Sequence, residues 1–190
     1  MNSKVIVLLD LETTGLDPVR DLILEIGLII VDWNLDEKSR ANWIIHYPKE
    51  ELLKKMTPLV QRMHTDNELL DDCNLSLLNS SNVEYMVMKT LEPYLEEGSH
   101  FIMAGNSVFF DRMFIKNQMK LLNTLFHHRL IDVSNFSVVA ERWTPNKFEL
   151  IRNELKELKV EKIKEHRVIT DLENCLNQLR SYKDLIFKEK

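Results

Sequence analysis

The first hydrophobic run of the chain, residues 5–9, is aliphatic at every position and stops at Asp10. A short uninterrupted run of this kind predicts a buried strand. Residues 22–31 predict a second, longer strand and residues 42–46 a third, with Thr13-Thr14-Gly15-Leu16-Asp17-Pro18 as the turn between the first two. Three strands ahead of any long helix predict an antiparallel meander. Residues 49–82 are polar and mixed, which predicts short helices and loops. Ser81-Asn82-Val83-Glu84 reads as a capping box opening a helix that carries Val83, Val87, Leu91 and Leu95 on one face. A strand over 101–104, a helix from about Ser107, a short strand over 130–133 and a helix from Ser134 follow. Residues 147–165 are dense in Lys and Glu, with Ile151, Leu155 and Leu158 at helical spacing, so they predict a solvated amphipathic helix rather than a nucleic-acid patch. A last helix carries Leu172, Cys175, Leu176 and Leu179 on one face. With no repeat and no linker, residues 1–190 are expected to form one α/β domain.

Composition narrows the classes without choosing among enzymes. The 190 residues are 44% apolar and 29% charged, ordinary for a chain that buries a core. A net charge of −5 argues against a protein that coats long nucleic acid, because such affinity comes from Lys and Arg neutralising many phosphates. It leaves room for a protein that holds a few phosphates, or one whose carboxylates carry metal ions. Two cysteines, Cys73 and Cys175, without CxxC spacing point to a reduced setting and to no zinc site. No apolar run approaches the roughly 20 residues of a spanning helix, and no leader pattern precedes the first strand. A cytoplasmic protein without membrane contact is the expectation.

The informative feature is acidic residues inside apolar patterning. Asp10 and Glu12 close the first strand two residues apart, so their side chains leave the same face. Two like charges so close are unfavourable unless a cation lies between them, although a plain surface strand end has the same pattern. Asp111 sits among Phe109, Phe110, Met113 and Phe114, so it needs a partner or a cleft. Ser107 lies one turn earlier, where a helix N-terminus favours an anion. His166 precedes Asp171 by five residues at the entry to the last helix.

Asp-x-Glu at a strand end, a helix-borne Asp, then His-x4-Asp: this order resembles the DEDDh 3′–5′ exonucleases of the DnaQ-like, RNase H-like superfamily. The flanks resemble the oligoribonuclease family more closely. They are residues 10–18 and 23–26, Gly105-Asn106-Ser107 with Asp111-Arg112, Phe126-His127-His128-Arg129, Asp132-Val133-Ser134, and Arg142-Trp143. The resemblance runs from about Val5 to Tyr182 and implies a mixed five-stranded sheet, the meander plus two further strands, flanked by helices. It implies hydrolysis of short single-stranded RNA, down to dinucleotides, by a homodimer using two Mg²⁺ or Mn²⁺ ions.

On this resemblance Asp10, Glu12 and Asp171 hold one ion, Asp10 bridges to a second, and Asp111 reaches that second ion directly or through water. His166 is the general base. Leu16 matches a leucine that wedges between bases. Ser107, Arg129, Ser134 and Ser137 match a cap on the 5′ phosphate, and His64 fits the family's substrate-side histidine. The chain departs from the family at His128, where a tyrosine reaches into the neighbouring subunit's site, at Leu59 for a tryptophan, and at Asn67-Glu68 for Ser-Gly. The catalytic set alone does not separate this activity from a 3′–5′ exonuclease on longer single-stranded DNA or RNA. A catalytically dead scaffold on the same fold would require one of the five catalytic positions to be lost, and all five are present.

Overall fold

The computed structural model describes residues 3–158 and 166–187. Five strands form one sheet in the order β3-β2-β1-β4-β5. They are β1 (Val5–Thr13), β2 (Ile23–Asp32), β3 (Glu37–Ile44), β4 (Phe101–Gly105) and β5 (Phe126–Asp132). The first three form the expected antiparallel meander, while β4 pairs parallel with β1 and β5 parallel with β4. The carboxyl ends of β1, β4 and β5 therefore open at one end of the sheet, where ligands bind in open α/β sheets.

The segment between β3 and β4 holds three short helices, α1 (Lys49–Lys55), α2 (Pro58–Asp66) and α3 (Leu69–Leu75), then α4 (Ser80–Leu91). After β4 come α5 (Phe109–Gln118) and α6 (Lys120–Thr124), and after β5 come α7 (Val133–Trp143), α8 (Pro145–Leu158) and α9 (Val168–Tyr182). The period-2 alternation of β1 divides the core. Val5, Val7 and Leu9 pack with α4, α5 and α6 on one face. Ile6 and Leu8 pack on the other face with Leu172, Cys175, Leu176 and Leu179 of α9, the stripe expected of the last helix.

Several boundaries differ from expectation for identifiable reasons. The capping box of α4 is made by Asn79 and Asn82, not by Ser81 and Glu84, because Asn79 accepts from the Asn82 N–H and the Asn82 side chain answers. Glu84 instead accepts from the Leu121 and Leu122 N–H groups, at 2.8 and 3.0 Å, and so holds α6. Leu95 lies beyond α4, after a 3-10 turn. The third strand begins at Glu37, and β5 begins at Phe126 rather than 130. Both are edge strands whose polar outward residues hide the alternation. Ser107 does not begin a helix: its φ is +51°, and α5 starts two residues later. The expected Lys/Glu-rich helix is α8, and residues 159–165 of that stretch lie outside the described residues.

Candidate active site

The strand that buries Ile6 and Leu8 under α9 carries Asp10 and Glu12 on the same face, just beyond the apolar stripe. Asp10 pairs with Gly27 across the β1–β2 ladder. A Cβ on Gly27 would meet Val168 at 2.5 Å, so the glycine lets the first turn of α9 lie directly on the sheet beside Asp10. Asp171, one turn further along α9, is thereby delivered to the strand end. One ligand atom each from Asp10, Glu12 and Asp171 lies within 4.8 Å of the others, spacing suited to one hard divalent ion.

Asp111 approaches from the opposite layer. It is 8% exposed, and its Oδ1 accepts from the Leu11 N–H at 3.1 Å, between the two β1 carboxylates. That bond fixes its direction, while its position sets it outside the three-carboxylate group. Burial first, then Asp111, Glu12 and Asp171, push the Asp10 carboxyl well above the usual range. Glu12 is pushed up to about 9 by burial and by Asp171 and Glu25. Asp111 rises to about 7, chiefly through burial. Carboxylates drawn this close together fit a site for a divalent cation.

The sign of these shifts gives a stability expectation. A carboxyl raised when folded contributes stability that is complete below its ordinary value and is lost as pH rises through the folded one. For Glu12 that window runs from 4.5 to about 9. The thermal midpoint of the protein in chelator is expected to fall across it, and Glu12→Gln to fall less. Parallel midpoint curves for the two proteins would contradict the repulsion account.

His166 and Asp171 line a cleft of about 390 Å³ with Asp10, Asn106, Leu155, Asn174, Asn177 and Gln178. His166 is exposed and has φ +62°, uncommon for a residue with a side chain. Of the amides of the cleft, Asn106 belongs to the Gly105-Asn106-Ser107 stretch, while Asn174, Asn177 and Gln178 were not singled out in the sequence. Their signal is the helical spacing of Asn174 and Gln178, three and seven residues after Asp171.

The other expected contacts divide. Ser107 and Ser134 come together: the Ser107 N–H donates to Ser134 Oγ at 3.0 Å and to Asp132 Oδ1 at 3.1 Å, and Asp132 also caps α7 through the Ser134 N–H. This polar corner joins the ends of β4 and β5. Arg129 and His128 are exposed on β5, an edge strand, with His128 against His127 at 4.0 Å between ring centroids. Leu16 is 77% exposed on a loop held by α5, where Gln118 Nε2 donates to the Pro18 and Asp21 carbonyls. Ser137 is engaged elsewhere, 2.8 Å from the Tyr182 hydroxyl. His64 is wholly buried, its Nε2 3.0 Å from the Thr13 carbonyl and its Nδ1 4.0 Å from Glu12 Oε2. From there it supports the β1 end and touches Glu12, rather than standing open to a ligand. Burial lowers its pKa, favouring the neutral ring.

Comparison with known proteins agrees with this geometry. Residues 7–179 match the exonuclease family that includes RNase T. The chain is 32% identical over 182 residues to the oligoribonuclease of Dichelobacter nodosus, covering 96% of this chain and 94% of that protein. It is 31% identical over 187 residues to the oligoribonuclease of Marinobacter nauticus, covering 98% of each. A probable oligoribonuclease of Drosophila melanogaster is 33% identical over 184 residues, covering 96% and 82%. Among solved structures, Escherichia coli exonuclease I in complex with a dA16 oligonucleotide superposes with a TM-score of 0.73 at 12% identity. The zinc-bound form of that enzyme with single-stranded DNA gives 0.70 at 14%. These alignments cover 96% and 98% of this chain but only 41% and 42% of exonuclease I, so they speak to the fold alone. With its sheet order, its carboxylate cluster and its similarity over nearly the whole length, the chain belongs to the oligoribonucleases of the exonuclease family.

Proposed function

We propose that this chain is a 3′–5′ exoribonuclease that hydrolyses very short RNAs, down to dinucleotides, to 5′-mononucleotides. The observation that carries the reading is the convergence of Asp10, Glu12 and Asp171 beside the cleft that His166 also lines. The whole chain acts as one catalytic unit. When bound by Asp10, Glu12 and Asp171, with Asp111 serving a second ion, Mg²⁺ or Mn²⁺ would supply the positive charge that phosphodiester hydrolysis needs at the attacking and departing oxygens. Oxygen-only donors suit these ions better than softer metals.

The chain's own residues do the rest. His166 takes the proton of the attacking water at a ring nitrogen, the work of an imidazole acting as general base. Asp111 is held in one orientation by the Leu11 N–H, so its second oxygen is left for the site. Leu16 offers an exposed apolar side chain to the bases. Ser107, Ser134 and Arg129 close the far end on the 5′ phosphate, Arg129 by paired N–H donation. The reading includes a homodimer, with His128 available to a second copy from the outer edge of β5.

The test is cleavage of labelled RNA and DNA as a dinucleotide, a heptanucleotide and a long oligomer, with Mg²⁺ or Mn²⁺. The dinucleotide RNA is expected to be cut fastest. Arg129→Ala is expected to raise KM for the dinucleotide about tenfold, the loss of one charge-assisted contact, with the long oligomer affected less. Equal rates at every length would favour a general exonuclease on longer strands.

A further inference from the structure

Residues 166 and 167 lead into α9, and what holds them in place is written in side chains far away in sequence. Arg167 precedes α9 and is anchored on three sides. Its Nε donates to Glu25 Oε2 at 2.9 Å, its Nη1 lies 2.9 Å from Asp72 Oδ2, and the same nitrogen donates to the Asn67 carbonyl at 3.3 Å. Glu25 is 1% exposed, and its other oxygen accepts from Asn42 Nδ2 at 2.7 Å. The anchor leaves the residue before it, His166, with a left-handed backbone and a carbonyl turned inward. That carbonyl accepts from Asn67 Nδ2 at 2.5 Å. Asn67 is 3% exposed, and its Oδ1 accepts from the Leu69 N–H at 3.0 Å. The next residue, Glu68, is itself left-handed, at φ +66°.

Asn67 therefore spends both ends of its side-chain amide on backbone, one at the start of α3 and one at His166. We infer that Asn67 is a positioning residue for His166: its amide holds the His166 carbonyl, so that the residue is kept at the cleft it lines with Asp10 and Asp171. The inference deepens the proposed function and rests on His166 being the general base. A left-handed conformation at a residue with a side chain is unfavourable and persists only where the surroundings impose it. The buried amide and the Arg167–Glu25 pair are those surroundings. A serine in place of Asn67 could accept from the Leu69 N–H but would be too short to reach the His166 carbonyl.

The test is a cycle of Asn67→Ser, His166→Ala and the double variant, assayed on a dinucleotide RNA in single turnover with thermal midpoints recorded. Asn67→Ser is expected to lower kcat about tenfold with KM unchanged, because misplacing a reacting group slows the chemical step and spares binding. In the His166→Ala background the same substitution is expected to have no further effect. Wild-type kcat in Asn67→Ser, an equal loss in both backgrounds, or a loss confined to KM would each overturn the inference. Full activity in His166→Ala would overturn the general-base reading and this inference with it, and that outcome is told apart by the single variant alone. If Asn67→Ser has no cooperative melting transition, Asn67→Asp keeps the side-chain volume and the acceptor for Leu69 and serves the same cycle.

Discussion

Asp10→Asn is expected to abolish turnover and, in chelator, to raise the thermal midpoint. Both follow from one placement. Asp10 continues the inward face of β1 beyond Ile6 and Leu8, and its acidic neighbours are Asp111, Glu12 and Asp171. Without a cation these groups repel one another in a partly buried setting, so a neutral isostere of the central carboxylate relieves the folded state. Where divalent ions would be held as proposed, the same substitution would remove one of the carboxylates that hold them. The expected loss is about a thousandfold or more in kcat, equivalent to about 4 kcal/mol of barrier. Midpoints in chelator with and without the substitution, beside the rate in Mg²⁺, measure both effects. Turnover within tenfold of the parent would remove Asp10 from the chemistry, and a lowered midpoint in chelator would contradict the repulsion.

His166→Ala is the second large effect. A positioned general base contributes about 10²- to 10⁴-fold, and the loss is expected in kcat with KM for the dinucleotide nearly unchanged. The folded state has little to lose, because His166 is exposed and the segment is held through Arg167 and Asn67 rather than through the imidazole. The thermal midpoint is therefore expected to stay close to that of the parent. A substitution that left kcat intact would assign the proton transfer to another group of the cleft. One that lowered kcat and the midpoint together would make the histidine structural.

The carboxylates were legible because their chemistry is written against the grain of their surroundings. Asp10 and Glu12 end an aliphatic strand, and Asp111 interrupts an aromatic helix start, so each stands out in the pattern. The residues expected to cap a phosphate were less legible, since a serine at a helix start has an ordinary structural use. Ser134 lies in the corner beside Ser107, whereas Ser137 is committed to Tyr182, and nothing local separates the two. His64 illustrates the same difficulty: its motif is visible, but its burial behind Glu12 depends on where α2 packs. The edge strands were read too short because exposed polar residues conceal a strand that only its paired neighbour reveals.

By itself the sequence determined an α/β domain, the meander of β1 to β3 and the apolar stripe of α9, which depend on short-range periodicity. The order of the acidic residues carried the family resemblance that implied the rest of the sheet. What only the tertiary structure decided is how residues far apart in number become one site. Gly27 has no side chain where Val168 needs room, so Asp171 meets Asp10. Arg167 crosses to Glu25, and Asn67 reaches the His166 carbonyl, contacts spanning about 100 residues or more of chain. Such contacts leave no periodic trace, because they arise from the packing of α3 and α9 on the sheet and not from any segment's own preference.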